Sequence, residues 1–186
     1  MKKNPIIKNA LILTIITLIA GLGLGFVYEI TKNPIAQAQE KAKKEAWQAV
    51  FTDVDANAFE AQDVDAKIAD KAIKSVGAKA TDKGYVITTT DKEGYGGDIQ
   101  ITVGITSDGT VNGISILSIS ETAGLGMKAK EPKFYNQYKG KKAEKFVVSK
   151  DGGDGEQIDA ISGATITSRA VTGAVNVALA YYQNAF

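Results

Sequence analysis

The chain has 186 residues, 44% of them hydrophobic, and a formal net charge of +1. That suits one globular domain plus a small extra segment, and near-neutrality without a basic stripe interleaved with aromatics excludes nucleic-acid binding. With 0 Cys and 0 His there is no disulfide framework, thiolate nucleophile, iron–sulfur ligation, imidazole metal ligand or His-based triad, so redox or transfer chemistry must come from a bound cofactor or from carboxylates.

The chain begins MKKNPIIKN, with Lys2, Lys3 and Lys8, and then runs uncharged from Ala10 to Tyr28 (ALILTIITLIAGLGLGFVY). As a helix rising about 1.5 Å per residue, that run spans roughly 28 Å, close to the hydrocarbon thickness of a bilayer. The expectation is a cytoplasmic N-terminus at 1–9 and a single transmembrane helix at 10–30. The rival is a signal peptide cleaved near Ala36-Gln37-Ala38. The apolar run exceeds the usual ~7–15 residue signal core, and the site lies far downstream, so a retained anchor is favoured. Beyond the apolar run only Lys32 is near the membrane edge, with Lys41, Lys43 and Lys44 further on. The lysine bias predicts a single-pass protein of the cell (inner) membrane whose C-terminal domain is extracytoplasmic. Thr17, Gly21 and Gly25 recur every four residues, which would let another membrane helix approach; plain glycine tolerance gives the same pattern.

Residues 31–84 read as a membrane-proximal helical segment. Pro34 opens PIAQAQEKAKKEAWQAVF, where Ile35, Ala38, Ala42, Ala46, Ala49 and Val50 keep helical spacing. A polar stretch without strong periodicity follows to Gly84. Residues 85–186 read as one domain. Tyr85 to Thr90, Ile99 to Thr106 and Val111 to Ile119 are strands, the last two joined by a Ser107-Asp108-Gly109 turn. Ile99, Ile101, Val103 and Ile105 alternate, predicting one buried and one polar face. A glycine-bearing loop (121–131), a short aromatic helix (Pro132 to Tyr138) and a short strand (Lys145 to Ser149) come next. The last helix is expected from about Arg169 to Gln183, burying Val171, Ala174, Val175, Ala178 and Tyr182. The fold class is α+β: a mostly antiparallel sheet flanked by helices behind one transmembrane helix.

Three stretches invite a functional reading. DGGDGEQID (Asp151 to Asp159) is not a calcium loop, because the twelfth position from Asp151 is Ser162 rather than Glu, and a solvated turn is the better reading. Glu121-Thr122-Ala123-Gly124-Leu125-Gly126 has glycines that let backbone approach a flat ligand, but it is neither a dinucleotide fingerprint nor a Walker loop. DAISGATITS (Asp159 to Ser168) supplies Thr167 or Ser168 as a helix cap, with Ser162 and Gly163 shaping the turn before it. The same geometry suits a phosphate at a helix N-terminus, with Gly163 and Ala164 leaving its approach clear. Local physics alone favours the cap.

The string Asp159-Ala160-Ile161-Ser162-Gly163-Ala164-Thr165 resembles the Asp-x-x-Ser/Thr-Gly-Ala-Thr motif of FMN-binding domains that carry flavin covalently. The likeness extends through GYGGDIQITVGI, SDGTVNGISIL and ETAGLG, over roughly residues 85–175. Within that family the chain is similar to G subunits of Rnf-type electron-transport complexes, relatives of the C subunits of sodium-pumping NADH:quinone oxidoreductases. The resemblance implies covalent FMN as a phosphoester on Thr165, installed from FAD by a Mg²⁺-using flavin transferase that recognises Asp159 and Ser162. It implies ring contacts in the Glu121–Lys128 loop and around Tyr95, so Glu121, Thr122, Gly124, Leu125, Gly126, Lys128 and Tyr95 join Gly163, Ala164, Thr167 and Ser168 as cofactor-binding candidates. No metal ligand and no catalytic residue of the chain's own is expected. One departure stands out: Ala123 replaces the family's usual proline, which loosens the loop. The implied function is electron relay in an ion-translocating ferredoxin:NAD oxidoreductase, with membrane lipid and other membrane subunits as partners. The alternatives are a stand-alone anchored flavoprotein reductase and a flavin-free structural domain.

Overall fold

The computed structural model describes residues 5–61, 78–80 and 83–185. Lys2, Lys3 and the 62–77 part of the membrane-proximal segment lie outside these residues. The chain divides into two compact units, Met1–Lys41 and Ala42–Phe186.

Helix α1 runs from Pro5 to Val50 with Pro34 inside it, where the sequence predicts two helices meeting at that proline. Proline removes one amide donor and crowds the carbonyl four residues back, which costs the helix without necessarily ending it. Strong helix formers follow it in AQAQEKAKKEA, and just before it Lys32 pairs with Glu29 at 2.7 Å. In the first unit Ile6, Leu18, Leu24 and Phe26 each expose more than half of their surface. The most apolar 18-residue window has a mean hydropathy of 2.5, and none of it is buried within the chain. Leaving that surface in water costs about 25 cal/mol per Å², so it requires a non-aqueous cover. The hydroxyls of Thr14 and Thr17 turn back onto the Ala10 and Leu13 carbonyls at 2.9 and 3.1 Å, as an apolar surrounding demands.

The second unit is α+β. Its sheet is antiparallel throughout, in chain order: β1 (Phe59–Ala61), β2 (Ala78–Ala80), β3 (Gly84–Gly94), β4 (Gly97–Thr106) and β5 (Val111–Ser118). A parallel pair, β6 (Phe146–Val148) and β7 (Glu156–Ile158), lies apart from it, and α2 (Pro132–Tyr135) and α3 (Thr165–Ala185) complete the unit. β1 and β2 fall where the sequence shows no periodicity, because three residues are too few for alternation to register.

The alternation in β4 places Ile99, Ile101, Val103 and Ile105 in the main core, against Val171, Ala174, Val175 and Ala178 of α3. Each such burial is worth roughly 1.5–3 kcal/mol. The opposite face is not the polar surface the alternation predicts: Thr102 and Gly104 are buried too. Thr102 shares a 3.1 Å hydroxyl contact with Thr88, its cross-strand partner. Over Gly104 lie Val50 and Phe51, in a second core with Val54, Phe59 and Val86. A Cβ at Gly104 would stand 2.8 Å from Val50 Cβ, so glycine is what permits this close approach. The Asn112 amide donates to the Val50 carbonyl, satisfying one of the last free carbonyls of α1.

α3 begins at Thr165, four residues before the predicted start. Hydroxyl residues favour caps over helix interiors, but here they satisfy themselves inside the helix. Ser168 donates to the Ala164 carbonyl at 2.9 Å and Thr172 to the Ser168 carbonyl at 2.7 Å. The buried stripe is wider than predicted, adding Ala170, Leu179 and Tyr181, while Tyr182 is half-buried and donates to the Ser107 carbonyl at 2.9 Å.

Candidate functional site

After β5 the chain turns through Glu121 to Leu125 into a 3₁₀ turn, Gly126–Lys130. The Leu125 and Met127 amides both donate to the Thr122 carbonyl at 3.2 Å, and Gly124 takes a φ of +75° that favours glycine. Glu121 is the buried acid of this loop. Its Oε1 accepts the Gly96 N–H at 3.1 Å, and its Oε2 accepts the Thr167 hydroxyl at 2.9 Å. A Cβ at Gly126 would lie 2.6 Å from both Glu121 Oε2 and Thr167 Oγ1, so only glycine passes here.

The Ile161–Ala164 turn leads into α3, with Ala164 N–H donating to the Ile161 carbonyl at 2.9 Å and Gly163 at φ +76°. Neither Thr167 nor Ser168 caps the helix, since both lie within it. Ser168 instead accepts the Ile161 N–H at 2.9 Å, tying the turn to the helix. The first amides of α3, from Thr165 on, have no partner inside the helix. Among the described residues no side-chain oxygen accepts from the Thr165, Ile166 or Thr167 amide.

These segments enclose a cavity of about 590 Å³ lined by Tyr95, Glu121, Thr122, Leu125, Gly126, Lys150 and residues 163–167. The structure thus gathers nine of the sequence-chosen residues: Tyr95, Glu121, Thr122, Leu125, Gly126, Gly163, Ala164, Thr165 and Thr167. It sets three others apart. Lys128, Asp159 and Ser162 line a second groove of about 470 Å³ with Phe134 and Gln137. There the Gln137 side chain clasps the Asp159 backbone, accepting its N–H at 2.7 Å and donating to its carbonyl at 3.2 Å. Ser168 is fully buried, and Gly124 lines neither cavity.

Sequence reasoning misses Ile166 and Lys150. Lys150 Nζ stands 3.5 Å from Thr165 Oγ1. Its neighbour Asp151 is gripped by Arg169, whose Nε donates to Asp151 Oδ1 and Oδ2 at 3.0 and 2.9 Å. The hydrogen bond from Arg169 holds the Asp151 carboxyl below the usual aspartate range, and Asp151 raises the guanidinium in turn. In sequence, Lys150 and Asp151 look like part of a solvated turn, and nothing local links them to a helix that starts at Thr165.

The residues fit FMN. The volume falls within the ~300–1,000 Å³ of small-molecule sites. Free helix N-terminal amides and an ammonium beside Thr165 suit a phosphate, while Leu125, Ile166 and Tyr95 offer exposed apolar surface to a flat ring. Among the described residues no group of three or more acids could hold a metal ion.

Comparison with known proteins points to the same cofactor class. Residues 94–180 match the FMN-binding domain, and residues 1–50 match the RnfG N-terminal region. The chain is 36% identical over 177 residues to the G subunit of the proton-translocating ferredoxin:NAD(+) oxidoreductase complex of Clostridium ljungdahlii, covering 95% of this chain and 91% of the relative. It is 33% identical over 198 residues to the Na(+)-translocating counterpart of Acetobacterium woodii, covering 96% and 92%. The chain belongs to the RnfG family. Its fold is shared with the solved C subunit of the Na(+)-translocating NADH-quinone reductase of Parabacteroides distasonis, at a TM-score of 0.58 and 24% identity over 79% of this chain and 93% of that one. In this RnfG chain the FMN-binding match takes in the complete cavity lining, from Tyr95 to Thr167.

Proposed function

We propose that this chain is a membrane-anchored subunit that carries FMN as a phosphoester on Thr165 and relays electrons in an ion-translocating ferredoxin:NAD oxidoreductase complex of the Rnf type. The observation that carries the reading is the placement of Thr165: it opens α3 and lines the 590 Å³ cavity, with Lys150 Nζ 3.5 Å from its Oγ1. Bound FMN supplies the one- or two-electron chemistry that a chain with 0 Cys and 0 His lacks. Thr165 Oγ1 would be the ester oxygen: it would bond to the phosphorus of the FMN half of FAD as the bond from that phosphorus to AMP breaks, with AMP leaving and the hydroxyl proton released to solvent. Lys150 and the first amides of α3 would hold the single negative charge of the phosphodiester. Leu125, Ile166 and Tyr95 would give the ring apolar contact. Asp159 and Ser162, in their own groove, present the motif to a separate flavin transferase.

The exposed apolar run of α1 lies in lipid, with the N-terminus cytoplasmic and the FMN-binding domain (85–186) on the extracytoplasmic side. The electron partners are other membrane subunits, in line with the complexes for which the relatives are named.

Coexpression of the full chain with a flavin transferase tests the attachment. Denatured protein should fluoresce in the gel, and mass spectrometry should place FMN less one water on the Thr165 peptide. Thr165→Val should abolish both, and fluorescence that survives this change overturns the assignment. Membrane subunits should copurify, whereas a stand-alone reductase would come alone. A reporter fused after Phe186 that works only in the cytoplasm would reverse the orientation.

A further inference from the structure

Glu121 joins three pieces of chain that the sequence keeps far apart. It follows β5, its Oε1 takes the amide of Gly96 in the β3–β4 turn, and its Oε2 takes the Thr167 hydroxyl in the first turn of α3. Both partners belong to the cavity's surroundings: Gly96 follows its lining residue Tyr95, and Thr167 lines it, two residues beyond Thr165. An ionised carboxylate is an acceptor only, so its two oxygens suit an N–H and an O–H donor arriving from opposite sides. The surroundings are shaped around it. A Cβ at Gly94 would stand 2.9 Å from Glu121 Oε1, and one at Gly126 would stand 2.6 Å from Oε2. At Gly126 the nearest atoms are those of the bonded Glu121–Thr167 pair itself, so glycine there leaves the pair room to form, whereas at Gly94 the Gly97 carbonyl is closer still.

We propose that Glu121 is a positioning residue, a clamp that sets the Thr165 end of α3 against the Tyr95 turn and so fixes the attitude of the flavin ring between them. The proposal rests on the flavin reading of the cavity. Holding the two walls in register determines which side chains meet the ring, and those noncovalent neighbours set its optical asymmetry and potential. Thr167 acts through Glu121, so removal of either partner releases the same clamp.

The test uses the full chain loaded by a flavin transferase and purified from membranes in detergent. Glu121→Gln, Thr167→Val, the double variant, Thr167→Ser and the core control Val175→Ala are compared with the unaltered protein. The readouts are the Thr165 mass increment, the visible circular dichroism and fluorescence anisotropy of the flavin, and its midpoint potential. Glu121→Gln and Thr167→Val should keep the mass increment, lose visible dichroism and anisotropy, and shift the midpoint in a common direction. The double variant should go no further than either single, Thr167→Ser should restore the original values, and Val175→Ala should keep them despite a lower melting temperature. Unchanged optical and redox values in the two singles, additive effects in the double, or the same change in Val175→Ala overturn the clamp. Should Glu121→Gln fail to fold or load, the Thr167→Val and Thr167→Ser pair decides on the same readouts. An unaltered protein with no flavin on Thr165 overturns the cofactor reading instead, and the clamp with it.

Discussion

Ser168 stands directly behind the flavin-motif turn, taking the Ile161 N–H at 2.9 Å while giving its own proton to the Ala164 carbonyl. Both bonds are buried. Ser168→Ala strands the Ile161 amide, and an unsatisfied buried donor costs about 1–3 kcal/mol. Thermal unfolding should show a clearly lowered melting temperature, with the Thr165 mass increment still forming on the molecules that fold. An unchanged melting temperature would mean that the Ile161 amide finds another acceptor.

Gly104 is the contact point between the sheet and the end of α1. Gly104→Ala pushes a methyl to within 2.8 Å of Val50 Cβ and 3.1 Å of Phe51 Cε2. Overpacking of this kind costs about 1–3 kcal/mol. Val50→Ala in the same background should recover part of that loss, giving a negative coupling energy in a double-mutant cycle measured by denaturant unfolding.

Lys150 faces the atom expected to carry the phosphate. Lys150→Met should slow flavin attachment roughly tenfold, equivalent to about 1.4 kcal/mol. The rate is read as in-gel fluorescence against time with limiting transferase. Asp151→Asn, which removes one end of the Arg169 grip on the neighbouring residue, should slow it in the same direction but less. Wild-type rates in Lys150→Met would detach Lys150 from the phosphate.

Asp91 lies half-buried against α3, its Oδ2 2.7 Å from where a Gly173 Cβ would sit. Burial raises its carboxyl above the ordinary aspartate value of 3.8, opposed by the bond from the Glu93 amide and reinforced by the Glu93 charge. A raised acid is harder to ionise in the folded chain than in the unfolded one. Its penalty is therefore absent below 3.8 and appears as pH rises through the higher folded value. Asp91→Asn keeps an acceptor for the Glu93 amide and removes the charge. It should raise the melting temperature at pH 7 and leave it unchanged near pH 3, which a pH series of thermal melts would show. A gain that persists at pH 3 would place the effect in packing instead.

Much of the sheet is legible in the sequence because β4 alternates and its isoleucines face α3. The second buried face is not, since Thr102 and Gly104 look like solvent-facing residues, and only the fold shows Thr102 bonded to Thr88 and Gly104 covered by Val50 and Phe51 from far away in sequence. The same holds at the site. The motif draws attention to the turn before α3, but its residues cannot reveal that Ser162 and Thr165 face different cavities. That separation depends on the left-handed turn at Gly163, a property of one φ angle that motif spacing does not record. Lys150 carries no sequence signature for a similar reason: it meets Thr165 across 15 residues, and its neighbour Asp151 pairs with Arg169 across 18, with no periodic trace.

Gly163 thus divides one short motif into two surfaces, Asp159 to Ser162 on one side and Gly163 to Thr167 on the other. On the proposed function, this makes two kinds of defect genetically separable. A lesion on the first surface lowers the fraction of molecules that are charged with cofactor and leaves each charged molecule normal. A lesion on the second that spares the attachment oxygen of Thr165 and its Lys150 neighbour, such as Thr167→Val, leaves occupancy complete and alters every molecule alike. Titrating transferase levels would tell them apart in a living cell, because extra enzyme can refill a population but cannot repair a member of it.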